Sequence, residues 1–139
     1  MRRDHDGYPG PVDLDGARPV LVAQGAYYAA TGLLPFASRR AFEAVTGPKR
    51  EWWLVQTVGL LVTVVGGALV SGAVRRRTSP ELLAVAAGSA ASLAAIDVVY
   101  VARGRIAPSY LADAAVQLAL LGALARRVSR GSFPPAGHG

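Results

Sequence analysis

Four long apolar stretches run through the chain, at 20–37, 52–72, 82–102 and 110–125, with short polar segments rich in arginine between them. A bilayer core about 30 Å thick takes roughly 20 mostly apolar residues of helix. The first three stretches approach or exceed that length. The fourth, at sixteen residues, needs tilt or help from flanking groups. A surface helix of a soluble protein shows a polar face at 3.6-residue spacing. Positions 58–70 instead hold no charge and one hydroxyl, Thr63, and positions 82–96 hold no charge at all. The pattern predicts an all-α fold, a four-transmembrane-helix bundle, with the bilayer as its first partner.

The longest connection, 38–51, has a pattern of its own. Ser38 is placed to cap a short helix, Ala41, Phe42 and Val45 fall on one face, and Gly47-Pro48 stops it. Arginines flank that face, which suits a short interfacial helix between the first two spans. Trp52 and Trp53 follow at the expected water boundary, as belt anchors.

Nineteen residues precede the first apolar stretch, with Asp4, Asp6, Asp13 and Asp15 among them. That is not the short basic lead of a cleaved signal. Glycine and proline recur in 1–19 and in 126–139, so both segments are expected to be disordered tails.

Composition sharpens the membrane reading. Of 139 residues, 52% are hydrophobic and 17% charged, against about 25% charged in an average soluble protein. The length allows one domain. Cysteine is absent, which excludes disulfides, thiolate metal sites and cysteine nucleophiles. The histidines, His5 and His138, lie in the tails, so neither a metal centre nor a Ser-His-Asp site is expected, and no cofactor motif is found.

Four spans place both ends on one side, with Arg2, Arg3, Arg18, Arg75, Arg76, Arg77, Arg126, Arg127 and Arg130. Arg39, Arg40, Lys49, Arg50, Arg103 and Arg105 fall on the other, nine cations against six. The positive-inside rule then puts both termini in the cytoplasm. The net charge of +6 does not indicate nucleic acid. The arginines sit at span ends on two faces, and no basic stripe with interleaved aromatics exists.

Small residues mark the packing surfaces. Gly59, Thr63, Gly67 and Ser71 recur every four residues on the second span, a stripe that lets helix backbones approach in lipid. The same stripe also suits a homo-oligomer or a membrane partner. In the third span, ten of the twelve residues from Ala84 to Ala95 are Ala, Gly or Ser, which predicts a central position.

The candidate chemistry lies in a polar layer near one face. A charge inside a span costs about 2.5–3.5 kcal/mol, so it usually faces protein and often has a role. Asp97 lies about 7–8 Å from the end of the third span, and Asp113 about 6 Å from the start of the fourth, at 1.5 Å per residue. Tyr100 and Gln117 follow them at helical spacing. Gln56, Thr31 and Tyr28 reach toward the same layer, and Arg103 and Arg105 stand in the loop between the two aspartates. Three roles are open. The layer locks the last hairpin, with Asp97 and Asp113 pairing with Arg103 and Arg105 or accepting hydrogen bonds from Tyr100 and Gln117. It recognises a small polar or cationic ligand. Or paired carboxylates do acid–base work as an enzyme or a proton-coupled carrier. Nothing else in the sequence adds weight to catalysis.

The run AYYAATGLLPFASRRAFEAVTGPKREWWLVQTVGLLV, with Phe42-Glu43-Ala44-Val45-Thr46-Gly47-Pro48-Lys49 and Trp53-Leu54-Val55 at its centre, resembles a family of small, uncharacterised bacterial four-helix integral membrane proteins. Asp97-Val98-Val99-Tyr100 through Arg105 to Tyr110-Leu111-Ala112-Asp113 is similar to the end of the same family. The resemblance covers roughly residues 25–125 and implies a multi-pass protein of the bacterial inner membrane. It carries no activity. The small multidrug exporters are a poor match, because their first-helix glutamate has no counterpart here; Gln24 is the polar residue in that span. The expected function is a small inner-membrane protein whose polar layer stabilises the bundle and offers a ligand site.

Overall fold

A computed structural model describes residues 14–131 of the chain, and these are helical throughout, with no strand. A 3-10 turn, Asp15–Ala17, leads into α1 (Arg18–Ala37). The short α2 (Arg39–Thr46) follows, then α3 (Trp52–Val74), α4 (Pro80–Ala102) and α5 (Tyr110–Gly131). Pro19 and Pro80 sit in first helical turns, where no N–H partner is lost. Ser79 caps α4 by accepting from the Leu82 N–H at 3.1 Å. Ser38 does the same for α2 from Ala41, also at 3.1 Å, and Gly47, at φ 86°, ends that helix beside Pro48. The short helix thus forms where its stop and start signals lie.

α1, α3 and α4 are long and apolar enough to cross a membrane. α5 runs for 22 residues, about 33 Å, six residues past the expected end at 125. Arg126, Arg127 and Arg130 continue its last turns rather than opening a tail, so α5 has the length the short apolar stretch lacked. Its charges keep it less apolar than the other three. At the other end, 15–19 belong to the 3-10 turn and α1, with Leu14 just before them; the rest of each expected tail, 1–13 and 132–139, lies outside the described residues.

Two antiparallel pairs build the bundle, α1 with α3 and α4 with α5. The first pair is held by glycines. A Cβ on Gly25 would stand 2.6 Å from the Gly66 carbonyl oxygen, and one on Gly32 would stand 2.5 Å from that of Gly59. The pairs are seven residues apart on both helices, so one face of each meets the other for two turns. Only glycine fits there. Gly59 and Thr63 of the expected stripe lie in this seam. Gly67 does not: a Cβ on it would meet nothing within 4 Å, and its neighbour Gly66 holds the place. A four-residue repeat drifts around a helix, whereas the contact follows seven.

The expectation that the alanine-rich third span is central is also corrected. α1 is the enclosed helix, 39% of its apolar stretch buried against 22% for each of α3 and α4. On α4 only Ala86, Ala90, Ala94 and Asp97 are buried, one line down one face. The helix needs small residues on that line alone. Leu21, Tyr28 and Leu69 fill the middle, with Leu124 from α5.

Candidate functional site

Where the two pairs meet, the filling is polar. Tyr28 of α1 is 1% exposed, Gln117 of α5 1% and Gln24 of α1 1%. The Tyr28 hydroxyl donates to Gln117 Oε1 at 2.7 Å and accepts from Gln24 Nε2 at 3.0 Å. The same Gln24 nitrogen donates to the Ala86 carbonyl of α4 at 2.9 Å. Gln117 Nε2 approaches both carboxylate oxygens of Asp113, at 3.4 and 3.5 Å. The Tyr27 hydroxyl also donates to Asp113 Oδ1. One connected run of polar side chains therefore descends from Asp113 to Gln24 and joins α1, α4 and α5.

The run has a direction. Gln24 donates to Tyr28, Tyr28 to Gln117, and Gln117 and Tyr27 to Asp113, so Asp113 is where the donors end. Asp97 of α4 stands beside it, near enough for the two carboxyl groups to interact directly. Asp97 is 5% exposed, and its Oδ2 is buried with no hydrogen-bond partner in the protein. The Gln24 Oε1 is in the same position. Both unpartnered atoms are acceptors. A buried polar group without a partner costs about 1–3 kcal/mol, so each calls for a donor. Carboxylates in contact also repel unless a proton or a cation lies between them.

Of the residues expected in the layer, Asp97, Asp113, Gln117 and Tyr28 come together here. Tyr100 turns outward at 38% exposure, with the Arg103 guanidinium 5.9 Å from its ring centre. Neither Arg103 nor Arg105 lies within ion-pair distance of either aspartate; Arg39 pairs instead with Glu43 in α2. Of the two expected locks, the ion-paired one is absent here and the hydrogen bond from Gln117 is present, without Tyr100. Thr31 is spent on its own helix, donating to the Tyr27 carbonyl at 2.8 Å. Gln56 is half-buried and takes no part in the run.

Two members were not expected. Tyr27 is adjacent to Tyr28 but a hundred degrees around the helix, and it reaches Asp113 from another side. Gln24 lies one turn below Tyr28 on the same face, a spacing that links them in the sequence alone.

The α2 segment covers the end of the bundle where this site lies. Ser109, before α5, donates to the Val45 carbonyl. Lys49 places its ammonium 5.1 Å from the Tyr110 ring centre and donates to the Thr46 carbonyl at 2.8 Å. Glu43 accepts from Arg39 Nε at 3.1 Å and from the Lys49 N–H at 3.2 Å. Those bonds, the Lys49 one first, hold the Glu43 carboxyl below its ordinary range. Phe42 meets Trp52 edge-on at 5.7 Å, and Arg39 lies over the same indole at 4.6 Å. The run Phe42–Lys49 is thus a folded cap rather than a loose connector.

A groove of about 450 Å³ opens between α3 and α4, with Tyr28 in its wall beside Ser89 and Ser92 and apolar residues elsewhere. Tyr28 is the one member of the polar run that lines it. Chemically, Asp97 and Asp113 can share a proton, while the Tyr27 hydroxyl serves as a fixed donor to Asp113. Gln117 and Gln24 interrupt any longer relay, because a carboxamide does not pass a proton on as a hydroxyl does. Among the described residues no three His, Asp or Glu side chains gather to hold a metal ion. Compared with known proteins, the chain matches no family model, no curated protein and no solved structure.

Proposed function

We propose that the chain is a small bacterial multi-pass protein of the inner membrane, in which α1, α3, α4 and α5 all cross and both termini face the cytoplasm. The 22-residue length of α5 and its pairing with α4 support the fourth crossing. The excess of arginines at the end holding Arg18, Arg75 and Arg126 supports the orientation.

Within that frame, the polar seam holds the two helix pairs together and binds a small ligand that carries hydrogen-bond donors or a positive charge. One observation carries this reading. Asp97, almost wholly buried, presents an unpartnered carboxylate oxygen beside a second carboxylate whose own donors are already in place. Asparagine there would donate to Asp113 with no added proton, whereas aspartate leaves that place to a shared proton or to a donor from a ligand. The reading assigns no catalysis.

Native mass spectrometry of the gently solubilised protein, beside Asp97→Asn and Asp113→Asn, tests it. A discrete adduct on the wild type, absent from a folded Asp97→Asn protein, is the expected result. Bare protein in all three samples would remove the ligand and leave the seam a structural device.

A further inference from the structure

Half of the small-residue stripe is unused by the α1–α3 contact. Gly67 and Ser71 lie on the outer side of that pair, where they form a trough of about 440 Å³ with Ala29, Val70 and Val74. The trough exists because Gly67 has no side chain; a Cβ there would meet nothing within 4 Å. It is apolar along its length and ends at Arg75. From Gly67 to Arg75 the helix rises about 12 Å.

Arg75, Arg76 and Arg77 are all exposed and turn the chain out of α3. The Arg77 N–H bonds to the Gly72 carbonyl at 2.8 Å and the Arg76 N–H to that of Ala73 at 3.2 Å, the hydrogen bonds of a Schellman end. Arg76 occupies its left-handed position at φ 55°, the one described residue other than glycine with positive φ. Glycine is the inexpensive choice there. An arginine held at a glycine position points to a use for the charge.

The surroundings are mainly basic. Arg18 reaches the same helix end, its Nε donating to the Ala73 carbonyl at 2.7 Å. The end of α5 brings Arg126, Arg127 and Arg130, the Arg127 carbonyl lying 3.8 Å from a Cβ built on Gly16. Among the described residues, Asp15 and Glu81 are the acids at this end. The negative end of the α3 dipole would repel an anion, and the cluster of arginines outweighs it.

We propose that the trough binds an anionic phospholipid of the bilayer. One acyl chain lies along Gly67, Val70, Ser71 and Val74, and the phosphate of the headgroup sits on the Arg75–Arg77 turn. An apolar channel that ends in guanidinium groups at a helix end matches that molecule in both parts, since arginine binds phosphate oxygens in pairs. A zwitterionic lipid would fill the channel and gain less from the turn.

The test is retention. The protein is taken from bilayers of equal phosphatidylglycerol and phosphatidylcholine with identical chains, and the lipids that stay bound are counted by native mass spectrometry. The wild type is expected to enrich phosphatidylglycerol. Arg75→Gln should lower that enrichment roughly fivefold, the worth of one cation near an anionic surface. Arg126→Gln, at the same end but off the trough, should change it little. Gly67→Leu and Ser71→Leu each fill the channel. Whichever keeps the wild-type melting temperature should lose several-fold of its bound lipid of both kinds. Equal retention of the two lipids by the wild type overturns the proposal. So does an Arg126→Gln effect as large as that of Arg75→Gln, or undiminished lipid in a folded Leu variant.

Discussion

Gly25 and Gly66 face each other so closely that a Cβ on either would stand 2.6 Å from the other's carbonyl oxygen. Contact of this kind replaces the hydrophobic drive that lipid cannot supply. Gly66→Ala or Gly25→Ala must push two backbones apart, and should destabilise the protein by about 1–3 kcal/mol. Gly67→Ala, one residue away, meets open space and should be neutral or stabilising, by up to about 1 kcal/mol from helix propensity. Thermal unfolding in one detergent compares the three. Equal losses at positions 66 and 67 would contradict this packing.

The two aspartates should respond in opposite ways to the same substitution. Asp113 accepts from Tyr27 and Gln117, so Asp113→Asn turns an amide toward donors and should cost about 1–3 kcal/mol. Asp97→Asn removes a buried charge and offers a donor to Asp113. It should melt at or above the wild type, as expected where a residue serves binding rather than stability. A marked drop in melting temperature for Asp97→Asn would return Asp97 to a structural role.

The bond between Tyr28 and Gln117 links α1 to α5 at the centre of the seam. A double-mutant cycle of Tyr28→Phe and Gln117→Leu should give a coupling of about 0.6 kcal/mol, and no more than about 1.7. Each single variant should lose more than the coupling, because it strands the partner left behind. Additive losses, with no coupling, would mean that the two side chains act separately.

Acid should loosen the α2 cap. The Glu43 carboxyl is held below its ordinary range by the Lys49 N–H and by Arg39. A depressed acid contributes stability above its unfolded value, about 4.3, and that contribution fades as pH falls through the folded one. Trp52, which touches Phe42 and Arg39, reports it. In a Trp53→Phe background, fluorescence should be flat from neutral pH to about 5 and change below about 4. Glu43→Gln should abolish the change. Its persistence in that variant would place the titrating group elsewhere.

Length and charge pattern made the helical layout readable in the sequence, including the start of α2 at Ser38 and its end at Gly47. The packing was less legible for a definable reason. Gly66 and Gly67 are neighbours, and only the glycines of α1, seven apart and antiparallel, choose between them. The polar layer was half legible. Charges in a span announce themselves, but the donors that serve them are set by which faces meet. Tyr27 and Gln24 are ordinary in the sequence and decisive in the seam. Tyr100 shares a side of α4 with Asp97, yet the seam is narrow enough to enclose one of them and not the other.

The glycine contacts pair positions whose numbers add to the same total, 25 with 66 and 32 with 59. A slip of one residue would set Val65 and Val58, or Gly67 and Leu60, opposite Gly25 and Gly32, so in either direction at least one side chain would meet a backbone. The α1–α3 hairpin therefore has one alignment. Gln24, Tyr27 and Tyr28 ride on that hairpin, so the alignment of the two glycine pairs also sets the height at which they meet Gln117 and Asp113. The Tyr27 donor to Asp113 is positioned by contacts in which neither aspartate takes part.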